Sequence, residues 1–252
     1  DEGERAYNTT YKYHLAEFGF SDVWYKNLRF GLGLRFEYYK YKDFLFKKPE
    51  LTGLDVESEH FLSYFAQVYY STFDKGYFPS KGTEFKAAYS LYTDNMAQYN
   101  DHAPFSALSG SWASVVPVTR RFSIIPSIYG RVLIGKDIAY PLQNAIGGEV
   151  YGLYIPQQLP FAGVTNMELM DNSIMIASVK LRQRMGSIHY LTLTGNYGLT
   201  DSHFFEILKG KQLFGISAGY GMDSMFGPLE ITFGYSNQTD KGSCYVNLGY
   251  YF

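Results

Sequence analysis

Residues 229–236 read Leu229-Glu230-Ile231-Thr232-Phe233-Gly234-Tyr235-Ser236, and the chain ends Ser243-Cys244-Tyr245-Val246-Asn247-Leu248-Gly249-Tyr250-Tyr251-Phe252. Both stretches alternate. Successive side chains of a β-strand point to opposite faces, so a strict period of two sorts each stretch into an apolar and a polar face. Leu229, Ile231, Phe233 and Tyr235 oppose Glu230, Thr232, Gly234 and Ser236. Val246, Leu248, Tyr250 and Phe252 oppose Tyr245, Asn247, Gly249 and Tyr251. Segment 27–42 repeats the pattern, with Leu28, Phe30, Leu32, Leu34, Phe36 and Tyr38 set against Arg29, Gly31, Gly33, Arg35 and Glu37.

Working outward, turn-forming clusters divide the whole chain into segments of this kind, and almost nothing reads at period 3.6. Twelve strands are expected, at about 5–17, 27–42, 60–73, 83–95, 105–118, 122–135, 145–154, 172–185, 188–199, 213–222, 228–237 and 243–252. Most reach the roughly 9–11 residues that a tilted strand needs to cross a bilayer. A β-sandwich shows the same period. The strand lengths, the recurrence of the apolar face and the alternation of connection lengths favour a transmembrane antiparallel up-and-down barrel occupying residues 1–252 as one domain.

The composition agrees. Aromatics make up 19% of the 252 residues, with 25 Tyr and 20 Phe, a load suited to the interfacial girdles of a membrane barrel. No window approaches the roughly 18 consecutive apolar residues of a spanning helix. A net charge of −2 gives no electrostatic case for nucleic acid. The single cysteine, Cys244, excludes an internal disulfide framework and a cysteine-based zinc cage. The chain opens Asp1-Glu2-Gly3-Glu4 without the basic start and apolar core of a signal peptide, so an exported protein is expected here in mature or trimmed form.

Connections near 76–79, 119–121, 186–187 and 224–227 are mostly short. Those at 43–59, 96–104, 136–144, 155–171 and 200–212 are longer and more polar. Membrane barrels have short periplasmic turns and long outer loops, so twelve strands would leave both termini periplasmic.

The stretch Asp74-Lys75-Gly76-Tyr77-Phe78-Pro79-Ser80-Lys81-Gly82 resembles the turn "D-x-G-Y-F-P-T-x-G" of barrels in the BamA-like assembly-factor superfamily. The order after it matches too: Val115-Val116-Pro117-Val118, a strand carrying Arg131, then Ile146-Gly147-Gly148. In that family the Gly-Gly strand leads into a sixth outer loop that folds back into the lumen with a Val-Arg-Gly motif. The corresponding stretch here, Pro156-Gln157-Gln158-Leu159-Pro160-Phe161-Ala162-Gly163, lacks the arginine. Its Leu-Pro-Phe-x-Gly form looks more like the barrel attached to patatin-like phospholipases. The resemblance implies a barrel that anchors, and helps export, a patatin-like domain absent from this chain. Alternatives are a barrel assisting insertion or translocation of outer-membrane proteins, a passive pore, and a barrel phospholipase. Twelve strands would match the last twelve of the family's sixteen. Gly249, Tyr250 and Phe252 resemble the closing signal read by the barrel assembly machinery. Expected partners are outer-membrane lipid, lipopolysaccharide, that machinery, and either a second copy or a fused patatin-like domain.

Enzymatic signals are weak. Gly215-Ile216-Ser217-Ala218-Gly219 matches the Gly-x-Ser-x-Gly elbow, but that elbow needs a sharp strand-to-helix turn. Here it lies inside an alternating strand with Phe214, Ile216, Ala218 and Tyr220 outward, so small lumen-facing residues are the better reading and no catalytic residue is expected. His189 shares a face with Leu191 and Leu193 and suits an interfacial girdle beside Tyr190. His14, His60, His102 and His203 have no ligand-type residue two or four positions further on, so neither metal nor cofactor is expected. Lys180, Arg182 and Arg184 share one face, opposite Val179, Leu181 and Met185. A charge on the lipid face costs roughly 2–4 kcal/mol at midplane. They are therefore expected to line the lumen with Glu84, Arg131 and Glu230. The apolar loop 155–171, with Pro156, Leu159, Pro160, Phe161 and Gly163, is expected to fold inward, since such a surface is a liability outside. Phe161 should then pack near Tyr129 or Tyr245, with Lys180, Arg182 and Arg184 holding the loop's carbonyls.

Overall fold

A computed structural model describes residues 7–46, 59–95, 98–99, 103–136, 138–148, 155–165, 167–239 and 242–249, without the side chains of 7–11 and 41–46. Eleven strands form one antiparallel sheet: β1 (Tyr7–Tyr25), β2 (Leu28–Phe46), β3 (Glu59–Ser71), β4 (Gly82–Thr93), β5 (Phe105–Pro117), β6 (Phe122–Ile134), β10 (Ser173–Met185), β11 (His189–Asp201), β12 (Lys211–Ser224), β13 (Gly227–Ser236) and β14 (Ser243–Leu248). Each pairs with the next in this order, and β1 and β14 are the two edges. Three short strands, β7 (Asn144–Ile146), β8 (Gln158–Leu159) and β9 (Leu169–Asp171), form a second sheet in the order β8-β7-β9. Among the described residues no helix is long and apolar enough to cross a membrane.

The alternation of the sequence sets the two faces of the large sheet. Phe233 is 62% exposed while its neighbour Thr232 is buried at 5%. Phe18, Phe20, Ile128, Phe214, Ile216, Val246 and Leu248 also project from the outer face. The inner face carries Glu37, Ser63, Ser178, Arg182, Thr192, Ser217 and Glu230, all buried. On this face Phe65 of β3 lies in register beside Gly33 of β2 and Gly19 of β1, and its ring fills the space these glycines leave, with the Arg35 guanidinium 4.8 Å above it.

One expected wall strand is not in the wall. Residues 145–154 were to be the seventh spanning strand, but β6 pairs directly with β10, with Arg131 opposite Ile174 and Ser127 opposite Ser178. Of that segment, Ala145 and Ile146 sit in the small inner sheet, where Ala145 is opposite Gln158 and Met170. The residues are fully buried, so an apolar run with no alternation to choose a face went inside. The single long connection 135–172 therefore replaces two loops and a strand.

That change reverses one expectation. Eleven antiparallel strands are an odd number, so Tyr7 and Leu248 lie at opposite ends of the described sheet rather than at one. The connections still alternate. Short turns at 26–27, 118–121, 186–188 and 225–226, with the longer 72–81, share one end, and the connections 47–58, 94–104, 135–172, 202–210 and 237–242 share the other.

Candidate functional site: the barrel interior

The connection 135–172 enters the inner face at the long-connection end. Phe161, at 1% exposure, packs in a cluster with Ile146, Val164, Ile174, Ile176 and Leu213, with Tyr129 and Leu159 at its margin. The ring is seated over two glycines: a Cβ on Gly198 or Gly215 would stand 2.9 or 2.7 Å from it. Gly163 adopts φ +79 with its back against the Tyr235 backbone, where any side chain would collide.

Polar groups of the wall then satisfy the segment's backbone. The Tyr129 hydroxyl donates to Pro160 O at 2.7 Å, that of Tyr245 to Val164 O at 3.0 Å, and that of Thr239 to Gly163 O at 3.2 Å. Arg131 Nη1 donates to Leu142 O at 2.8 Å and to Asn144 Oδ1 at 2.6 Å. Asn144 Nδ2 in turn reaches Arg131 O and Asn172 O at 2.9 and 2.8 Å, which ties β7 to β6 and β10. Gln157 Nε2 donates to the Tyr39 hydroxyl of β2 at 2.6 Å. The segment thus spans the interior from β2 to β14.

The charges anticipated for the lumen divide between the ends. Arg131 holds the inward segment. Arg182, which was expected to hold it, instead donates to the carbonyl of Pro79 in the β3–β4 turn, and Arg184 Nη2 donates to Arg120 O at 3.4 Å. Lys180 is half-buried on the same inner face. Glu84 pairs with Lys86 at 2.9 Å and accepts from Tyr69 at 3.0 Å, so its partner lies on its own strand rather than on β10. Glu230 is buried on the inner face of β13. The physical reason is length: cations at 180–184 lie toward the short-turn end of β10, a strand's length from the inward segment.

The turn Asp74–Gly82 closes on itself. Asp74 Oδ1 accepts from Ser80 N at 2.7 Å and Lys81 N at 3.3 Å, and Oδ2 accepts from Ser80 Oγ at 2.5 Å. Burial raises the Asp74 carboxyl's pKa, but the Ser80 and Lys81 donors outweigh it and hold it below its ordinary value. The turn is therefore fully capped at neutral pH, and this contribution is lost only as pH falls through that lowered value. Gly76 and Tyr77 form its tip, Gly82 has φ +110, and Phe78 has φ +47 and is buried at 6%.

Sequence reasoning missed a polar cluster centred on Glu37. Glu37, 2% exposed, accepts from the hydroxyls of Tyr13 and Tyr39 at Oε1, both at 3.1 Å, and from Tyr92 at Oε2, at 3.2 Å. It joins β1, β2 and β4, and through Tyr39 and Gln157 the inward segment. Its signal was an acidic residue on a lumen face; what the sequence could not show was which tyrosines would converge on it. A chamber of about 690 Å³ remains against β1–β6, lined by Arg29, Gln67, Tyr69, Lys86, Tyr129 and Leu159.

The remaining candidates are plain. Ser217 is buried on the inner face of β12, which runs as strand to Ser224. Gly215 makes room for Phe161, and a Cβ on Gly219 would meet Thr192 and Thr232 at 2.7 Å. Ser217→Ala is accordingly expected to leave any lipase activity of a preparation unchanged, and labelling of Ser217 by a fluorophosphonate probe would contradict this. His189 lies on the outer face with Nδ1 2.7 Å from the Tyr220 hydroxyl, a different tyrosine from the adjacent Tyr190. Asp201, His203 and Glu206 bring ligand atoms within 4.8 Å of one another, using spacings of two before and three after the histidine that the sequence reading passed over. The Asp201 carboxylate there accepts from His203 N at 2.7 Å. Of the closing signal, Gly249 is described with φ +104, while Tyr250 and Phe252 lie outside the described residues.

Residues 5–252 match the OMP85 superfamily. The fold is similar to the crystal structure of BamA from Haemophilus ducreyi lacking POTRA domains 1–3, with a TM-score of 0.68 at 11% identity. The match covers 99% of this chain and 56% of that one, so the chain spans little over half the length of the protein it resembles. No curated protein matches the sequence. The match along nearly its whole length places the chain in the OMP85 superfamily, as a β-barrel protein of the bacterial outer membrane.

Proposed function

We propose that this barrel assists the insertion or translocation of other outer-membrane proteins. The observation that carries the reading is the pair of sheet edges. β1 runs for 19 residues, and among the described residues no ladder joins it to β14. An edge strand presents a row of unpaired backbone groups, which is a template for a further strand. An inner face on which the described residues of the connection 135–172 are seated also suits a barrel that works at its wall rather than as a passive pore. In this reading the short turns face the periplasm, and lipid and lipopolysaccharide surround the outer face. The closing strand with Gly249, Tyr250 and Phe252 addresses the chain itself to the barrel assembly machinery. The chain has no enzymatic activity of its own.

The test is insertion of a defined, radiolabelled outer-membrane barrel into proteoliposomes containing this protein. A photo-crosslinker at Ala16 or Phe18 of β1 should capture the incoming chain, and a disulfide tether between β1 and β14 should stop insertion. Insertion at an unchanged rate with the tether closed would reject the reading. A second reading, a barrel anchoring a patatin-like domain or pairing with a second copy, rests on Leu159-Pro160-Phe161 and Gly163 in the inward segment. It requires lipase activity in the full-length gene product that survives the tether.

A further inference from the structure

The β3–β4 turn is built as more than a connection. Ten residues, 72–81, join two strands that a two-residue turn could join, as 26–27 and 225–226 do elsewhere at the same end. The extra length carries Phe78 across the interior to strands that are not its neighbours: β5 and β6 stand between β4 and β10. There the Phe78 ring stacks on Tyr190 of β11, with centroids 4.4 Å apart and planes at 9°. Gly221 of β12 leaves the space for it, since a Cβ there would stand 2.7 Å from the ring. Arg182 of β10 donates to the Pro79 carbonyl and lies 5.8 Å above the Tyr190 ring. Phe78, Tyr190 and Arg182 are each buried at 6% or less.

Cohesion within the turn and its attachment to the far wall have separate causes. Asp74 with Ser80 and Lys81 makes the turn a closed unit, and Thr72 and Thr83 bond each other at its base, Thr83 N to Thr72 Oγ1 at 2.9 Å. The contacts to the wall include a ring seated in a glycine notch and a hydrogen bond from one arginine. Such a unit can lift as a body from its base. Behind it lies a polar stretch of wall, with Thr192, Ser217 and Thr232 all buried, bounded at the far side by the inward segment at Gly215. The chamber against β1–β6 reaches the short-turn end past exposed Arg29, outside this strap.

We propose that the β3–β4 turn is a strap seated on β10–β12 by Phe78, and that lifting it exposes the polar wall of β11–β13 at the short-turn end while residues 135–172 stay in place. This is independent of whether the barrel inserts other proteins, because it concerns access to the wall alone.

The test is thiol accessibility in the full protein, with Cys244→Ser and Ser217→Cys as background and a small, charged, membrane-impermeant thiosulfonate as probe. Phe78→Ala removes the stack, and Gly221→Leu pushes the ring out of its notch from the wall side. Each should speed labelling about two- to tenfold, the scale of a lost aromatic pair. Tyr190→Phe keeps the ring and should label at the background rate. Arg182→Gln, which removes the Pro79 hydrogen bond and spares both rings, is read beside them in case Phe78→Ala does not fold, with heat-modifiable migration reporting folding. Faster labelling in folded Gly221→Leu and Arg182→Gln supports the strap. Unchanged labelling in those folded variants overturns it, as would acceleration only on deletion of residues 157–166.

Discussion

Phe161→Ala is expected to cost about 3–5 kcal/mol of barrel stability, the range for emptying a fully buried aromatic site. The ring is enclosed by Ile146, Val164, Ile174, Ile176 and Leu213, and its seat over Gly198 and Gly215 has no side chain that could swing in to fill the void. The wall strands are fixed by their ladders, so the site cannot collapse. Phe161→Leu should recover part of the loss, because it restores volume without the flat fit between two glycines. Unfolding in urea from detergent or liposomes, followed by the exposed Trp24 and Trp112, measures it. A loss below about 1 kcal/mol would mean that the segment is not seated there.

Glu37→Ala should be nearly as damaging, at about 2–4 kcal/mol, for a different reason. Removing the carboxyl leaves the hydroxyls of Tyr13, Tyr39 and Tyr92 without this acceptor inside the barrel, since Gln157 donates to Tyr39 and cannot take its proton. The loss is tempered because burying the carboxyl was itself costly. Glu37→Gln keeps one oxygen at the Tyr13–Tyr39 side and offers an amide that Tyr92 can accept from, so it should lose about 1 kcal/mol or less. If alanine and glutamine variants unfold at the same urea concentration, the three hydroxyls are not held by this group.

Period two made the wall legible. Leu229 to Ser236 and Leu28 to Tyr38 present a face choice at every residue, and a one-residue slip would invert them all, so register and sidedness follow from sequence. The inward segment was legible in part. Apolar residues such as Leu159 and Phe161 between prolines have no comfortable place in an outer loop, which points inward but not to a seat. That seat depends on Gly198 and Gly215, whose missing side chains give no signal of their own in a glycine-containing strand. Ile146 misled for the opposite reason: a short apolar run cannot be told as a wall strand or a buried inner one without knowing what β6 pairs with. Phe78 and Glu37 share that limit, because Phe78 seats on β11 and β12 and Glu37 reaches Tyr92 of β4, strands far away in sequence.

The described residues of the connection 135–172 occupy the interior, and planar-bilayer recording tests directly whether they close it. The intact barrel should conduct weakly, and deletion of residues 157–166, which removes Phe161 and the bonds to Tyr39, Tyr129, Tyr245 and Thr239, should raise conductance well above it. The path opened is the chamber against β1–β6, whose lining includes Leu159 of the deleted stretch. A stable open pore in the intact barrel, unchanged by the deletion, would contradict the closed interior and make a passive pore the better description.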